Sequence, residues 1–151
     1  MHFDKIDKKD FQKTNRISRK YNMQWKKYAG RSSIGDCSNL FQRLRPTDYY
    51  DFYLKYTKDG EETVHNREVF KHCGRTEEEI EEVARKYMAE CGNTSFTFED
   101  FVKNVYMHTI IETYDGQTKE QDVNQILANL GYTYEKPEKA EDSRFGIDFK
   151  V

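Results

Sequence analysis

The chain has 151 residues, a net charge of -2 and a mean hydropathy of -1.04. No apolar run approaches the ~18 residues needed to cross a bilayer, and the N-terminal MHFDKIDKKDFQK lacks the apolar core of a secretion signal, so neither a membrane span nor export by that route is expected. Aromatic residues make up 15% of the chain, too many for a disordered one, which leads us to expect one packed domain over 1–151.

Cys37, Cys73 and Cys91 are widely spaced and odd in number, which suits reduced thiols in a cytoplasmic protein. The small net charge hides an asymmetry. Residues 1–45 hold 12 Lys and Arg against 4 Asp, a net +8, and residues 46–151 hold 13 against 23 Asp and Glu, a net -10. A basic first third suggests a surface for phosphates, although a solvated helix face gives the same composition.

In chain order, Phe11, Ser18, Tyr21, Trp25 and Tyr28 recur at helical steps and predict one amphipathic helix over about 10–28, stopped by Gly30. Lys13, Arg16, Arg19, Lys20, Lys26 and Lys27 lie around it, followed by Arg31, Ser32, Ser33, Arg43 and Arg45. These cations can neutralise phosphates, and Ser32 and Ser33 can hydrogen-bond them. Tyr21 and Trp25 can either stack on bases or face a core, and helical spacing favours the core. Residues 31–46 read as a loop and a short apolar turn. Thr47 can cap a helix through DYYDFYLKY, ended by a turn at Asp59-Gly60. Residues 61–75 are ambiguous.

Thr76 with Glu79 forms a capping box before a helix whose apolar face is Ile80, Val83, Ala84, Tyr87 and Met88. Cys91-Gly92-Asn93 ends it. Thr97 caps a helix to about Tyr114, Asp115-Gly116 turns the chain, and Thr118 to Gln121 offers another box before a helix stopped by Gly131. The period then changes. Tyr132–Glu135 and Gly146–Val151 read as strands, with Asp148 and Lys150 on the polar face of the second. The expected fold is therefore mainly α with a small C-terminal β element, an α+β arrangement. His65, His72, Cys73 and Cys91 fit no close zinc spacing. His108, mid-helix, reads as a packed histidine, and nothing in the spacing suggests a Ser-His-Asp or Cys-His arrangement.

A strand Asp with a nearby helix Glu is chemistry that can hold Mg²⁺ for phosphodiester cleavage, because that ion needs few protein carboxylates and keeps several waters. The segment His108-Thr109-Ile110-Ile111-Glu112-Thr113-Tyr114-Asp115-Gly116, then Lys119-Glu120, Leu130-Gly131-Tyr132, Glu141-Asp142 and Gly146-Ile147-Asp148-Phe149 resembles the first half of a PD-(D/E)xK nuclease core. It looks most like type II restriction endonucleases of the MjaI type. Residues from Asn15-Arg16-Ile17-Ser18 through Trp25-Lys26-Lys27 to Ser32-Ser33-Ile34-Gly35 resemble N-terminal sequence of that group.

The resemblance implies a helical, basic, DNA-facing part over 1–96 and, over 97–151, the helices and first strands of a restriction-endonuclease-like core. It implies that Asp148 binds Mg²⁺ and that Glu120, or failing it Glu112, is the helix carboxylate. It also implies double-stranded DNA as partner and a homodimer. In such enzymes the next strand carries an acid-x-Lys. Asp148-Phe149-Lys150 meets that pattern only if Asp142 is the first carboxylate, six residues earlier, which leaves little room for two paired strands. The expectation is a metal-dependent DNA endonuclease present as an incomplete or inactive fragment. The competing expectation is a non-catalytic helical module that binds protein or nucleic acid.

Overall fold

Side-chain caps set most of the helix starts. The computed structural model describes residues 1–67 and 72–131. Asp7 accepts from the Lys9 N–H at the head of α1 (Lys8–Gln12), and α2 (Asn15–Lys20) and α3 (Asn22–Lys26) follow. After α4 (Arg31–Ile34), Asp36 caps α5 (Cys37–Leu44). Asp48 caps α6 (Tyr49–Thr63), one residue beyond the expected Thr47, whose N–H instead donates to the Asp51 carboxylate. The capping boxes predicted at Thr76 and Thr97 both form, with Glu79 and Asp100 as their acids, at the heads of α7 (Glu77–Cys91) and α8 (Phe98–Tyr106). A π-helical turn (Met107–Ile111) links α8 to α9 (Glu112–Asn129).

The expectation of an α+β fold, with a small C-terminal β element opening a restriction-endonuclease-like core, is overturned. Every regular element among the described residues is helical and none is a strand. The sequence predicts a turn at Asp115-Gly116, but the backbone stays helical from Glu112 to Asn129. A glycine inside a helix costs only about 1 kcal/mol relative to alanine, less than the helix gains from the good formers around it. Thr118 bonds back to the Asp115 carbonyl at 3.2 Å instead of capping a new helix. Gly131, at φ +83°, ends the helix where the sequence places the stop. The two segments read as strands, 132–135 and 146–151, lie outside the described residues.

The single helix predicted over 10–28 is three short ones. The Thr14 hydroxyl donates to the Phe11 carbonyl at 2.6 Å, and Tyr21 leaves helical geometry at φ -122°, ψ 39°. Both breaks rotate the chain, yet Phe11 and Trp25 still reach the core, with Tyr21 and Tyr28 packed at its edge.

The chain divides into two compact units, Met1–Tyr114 and Asp115–Val151. The core of the first is aromatic. Phe52, Tyr53 and Tyr56 of α6 meet Ile80, Ala84 and Tyr87 of α7 and Phe101, Val105 and Tyr106 of α8. Tyr53 packs edge-on to Tyr106 at 5.2 Å and Tyr87 to Phe101 at 5.1 Å. Such contacts add roughly 0.5–1.5 kcal/mol each to the area they bury. Of the second unit, residues 115–131 are described and belong to α9 and its end.

The predicted turn at Asp59-Gly60 is absent because both residues serve packing inside α6. Asp59 is buried and takes Arg43 through two bonds, at 2.9 and 3.1 Å, plus the Gly74 N–H at 2.7 Å. Gly60 lets the 74–76 backbone approach: a Cβ there would stand 2.2 Å from the Arg75 carbonyl carbon. Gly74 makes the reciprocal approach, 2.1 Å from a Cβ position to the Tyr56 oxygen. We predict that Gly60→Ala destabilises the protein by about 1–3 kcal/mol, the usual cost of overpacking. Thermal unfolding checks this, and an unchanged melting temperature would refute the close approach.

Candidate functional site

The first unit carries an open groove of about 630 Å³ where the end of α1, α2 and the start of α3 face the π turn and the first residue of α9. Its polar walls include Gln12, Asn15, Arg19 and Asn22. At its base Ser18 meets two side chains from a distant part of the sequence, His108 and Glu112. Ser18 Oγ lies 2.6 Å from His108 Nε2, and His108 Nδ1 lies 3.0 Å from Glu112 Oε2. The imidazole is stacked on Trp25, ring centroids 4.7 Å apart and planes 20° from parallel, which leaves it little rotational freedom.

Two local causes put His108 there. The Thr109 hydroxyl donates to the Val105 carbonyl at 3.0 Å, a back-bond of the kind that distorts helices, and the chain widens into a π turn. Such insertions recur at functional sites. The helix then continues, so Glu112 stands one turn beyond His108, at the i,i+4 spacing that lets side chains touch.

Ser18 is held from the other side. Asn104, fully buried on α8, donates through Nδ2 to the Thr14 carbonyl and to Ser18 Oγ, both at 2.9 Å. Its Oδ1 lies 3.1 Å from the same Ser18 oxygen. Burial pushes the nearby Tyr87 hydroxyl above its ordinary range.

The cations named from the sequence fall into two groups. Lys27 is tied to Glu90 at 2.6 Å, a bond that raises its ammonium above the ordinary value. Arg31 meets Asp36 at 3.5 Å and Arg43 meets Asp59. By contrast Lys13, Arg16, Arg19, Lys20, Lys26 and Arg45 are all exposed, and no carboxylate among the described residues comes within ion-pair distance of any of them. Arg16 and Lys20 lie over aromatic rings, of Phe96 at 5.7 Å and Tyr21 at 5.4 Å. Ser32 is exposed and Ser33 half-buried on α4, where the carbonyls of Arg31 and Ser32 accept from the buried Arg75 guanidinium.

Asp148 and Lys150 lie outside the described residues. Glu120 is on α9, half-buried in the second unit. Glu112, second to Glu120 as the predicted helix carboxylate, is engaged by His108 instead. Among the described residues no three His, Cys, Asp or Glu side chains cluster as a metal site would require, and no helix is long and apolar enough to cross a membrane. Burial pushes the Cys37 thiol up to about 12, so it is an inert packing group.

Sequence reasoning missed the Ser18–His108 pair because 90 positions separate the two and no local spacing marks them. The His108–Glu112 spacing was the only local signal, and it is common on helices. Comparison with family models, with known proteins and with solved structures gives no match.

Replacing Asn104 by Ala leaves the Thr14 carbonyl without its side-chain partner and Ser18 without its anchor. We predict a loss of about 1–3 kcal/mol, the cost of stranding buried polar groups. Urea unfolding measures it, and a variant as stable as the wild type would show that the bridge contributes nothing.

Proposed function

We propose that this chain binds double-stranded DNA through the cationic surface of α2 and α3. The observation that carries the reading is the run of five exposed cations over 13–26, Lys13, Arg16, Arg19, Lys20 and Lys26, none of which has a carboxylate partner among the described residues. Arg16, Arg19 and Lys20 fall at i, i+3 and i+4 of one short helix and so share a face. Cations already neutralised inside a protein release no counterions on binding DNA, whereas these five are available to do so. The amides of Gln12, Asn15 and Asn22 beside Arg19 add groups that hydrogen-bond phosphates and base edges. In this reading the chain is a helical nucleic-acid-binding module.

Metal-dependent cleavage of that DNA rests on the resemblance alone, with Asp148 as the magnesium carboxylate and Glu120 assisting. On that reading this chain cuts plasmid in Mg²⁺ poorly or not at all, and efficient cutting that Asp148→Ala abolishes would contradict it.

Binding is tested by fluorescence anisotropy of a labelled duplex over a range of salt. Arg16→Ala and Lys20→Ala should each lower the salt slope by about one. Lys27→Ala should leave the slope nearly unchanged, because Glu90 already neutralises that ammonium. Absence of binding at low salt, or equal effects of Lys20→Ala and Lys27→Ala, would overturn the proposal.

A further inference from the structure

We infer that Ser18, His108 and Glu112 form a hydrolytic site, with Ser18 the nucleophile toward a small carboxylic ester that carries an anionic group. The hydrogen-bond contacts are compatible with one productive placement of the protons. An ionised carboxylate only accepts, so Glu112 Oε2 takes the Nδ1 hydrogen of His108 at 3.0 Å. In the neutral imidazole Nε2 is then the acceptor, and the nearest donor is the Ser18 hydroxyl at 2.6 Å. Ser18 Oγ in turn accepts from Asn104 Nδ2, whose second hydrogen goes to the Thr14 carbonyl. Asn104 Oδ1, at 3.1 Å, is the competing acceptor for the Ser18 proton, and His108 Nε2 is the nearer of the two. This is the tautomer in which an imidazole takes a serine's proton while a carboxylate steadies the resulting charge. A nucleophile in reach of a base, and a base oriented by a third group, is the general signature of covalent catalysis.

Three further features fit this role. The histidine rides on a π turn, a distortion that packing alone gains nothing from. Its ring is clamped against Trp25, so the base is preorganised. The Ser18 hydroxyl opens on a groove whose named walls, Gln12, Asn15, Arg19 and Asn22, are all hydrogen-bond donors. Arg19 supplies a cation for an anionic substituent, and the amides are donors for a developing oxyanion. These polar walls offer no seat for a long acyl chain.

In the first step the Ser18 O–H proton passes to His108 Nε2 and the Oγ–carbonyl carbon bond forms, with the carbonyl electron pair moving onto oxygen. The tetrahedral adduct collapses, the ester C–O bond breaks, and the alcohol leaves with the proton from Nε2. Water then attacks the acyl-serine, gives its proton to Nε2, and the acid departs as that proton returns to Ser18 Oγ. Glu112 bonds only the imidazole and acts as a positioning residue.

The test treats the full chain with a fluorophosphonate probe, which bonds serine oxygen to phosphorus and expels fluoride, and with 4-nitrophenyl acetate and 4-nitrophenyl hemisuccinate. We expect one adduct, on Ser18 by peptide mass, and none in Ser18→Ala. His108→Gln should slow labelling by about 10²-fold, the usual worth of a general base. Because Glu112 is exposed, Glu112→Gln leaves packing alone; it should slow labelling, with Glu112→Asp restoring part of the rate. Arg19→Gln should remove a preference for the hemisuccinate over the acetate. An unlabelled wild-type protein with native circular dichroism, an adduct elsewhere, or equal rates for wild type and Glu112→Gln would overturn the inference. It does not rest on DNA binding: a chain that binds no duplex and still labels at Ser18 supports it.

Discussion

The buried amide of Asn104 is the contact on which the rest of the first unit's surface depends. It is fully enclosed on α8 and bonds both Thr14, at the head of α2, and Ser18, inside it. The short helices at the N-terminus have little stability of their own, since helices under about 12 residues are marginal in water. α1 and α2 hold their place by docking on α8, and α3 by docking on α7. An apolar residue at 104 could bury the same area but would not choose a register. The amide does choose one, because its two hydrogens need two acceptors at fixed positions.

That register sets two properties at once. It places Ser18 beside His108, and it leaves Arg16, Arg19 and Lys20 exposed. The capping boxes at Thr76 and Thr97 gather acids at the heads of α7 and α8, where they complement the helix dipole. Acids spent there are absent from α2. The charge asymmetry along the chain thus becomes an asymmetry in space. Lys27 shows the boundary: it reaches Glu90 of α7 and is neutralised, whereas Lys26 beside it is not.

Much of the helical content was legible from local chemistry. Thr76-Glu79 and Thr97-Asp100 are self-contained capping signals, and Gly131 stops α9 where its position suggested. What failed depended on contacts distant in sequence. Asp59-Gly60 looks like a turn until the 74–76 backbone is seen lying against Gly60, and Asp115-Gly116 looks like a turn until its neighbours carry the helix through. The Thr14 back-bond that splits the first helix is chemically local but does not reveal which conformation prevails. The polar groove was illegible because Ser18 and His108 belong to segments that meet only in the folded chain. The carboxylate chemistry expected at Asp148 lies beyond the described residues, and the resemblance that suggested it carried a β element that the described residues do not form.

The central claim is that the α2–α3 surface meets nucleic acid. The most direct measurement is amide chemical-shift mapping of the ¹⁵N-labelled protein during titration with a short DNA duplex at low salt. The account predicts shifts concentrated at Lys13 through Lys26 and in the groove around Arg19, with α7 unaffected apart from Glu90. Shifts spread evenly over the molecule, shifts centred on α7, or none at all would contradict it.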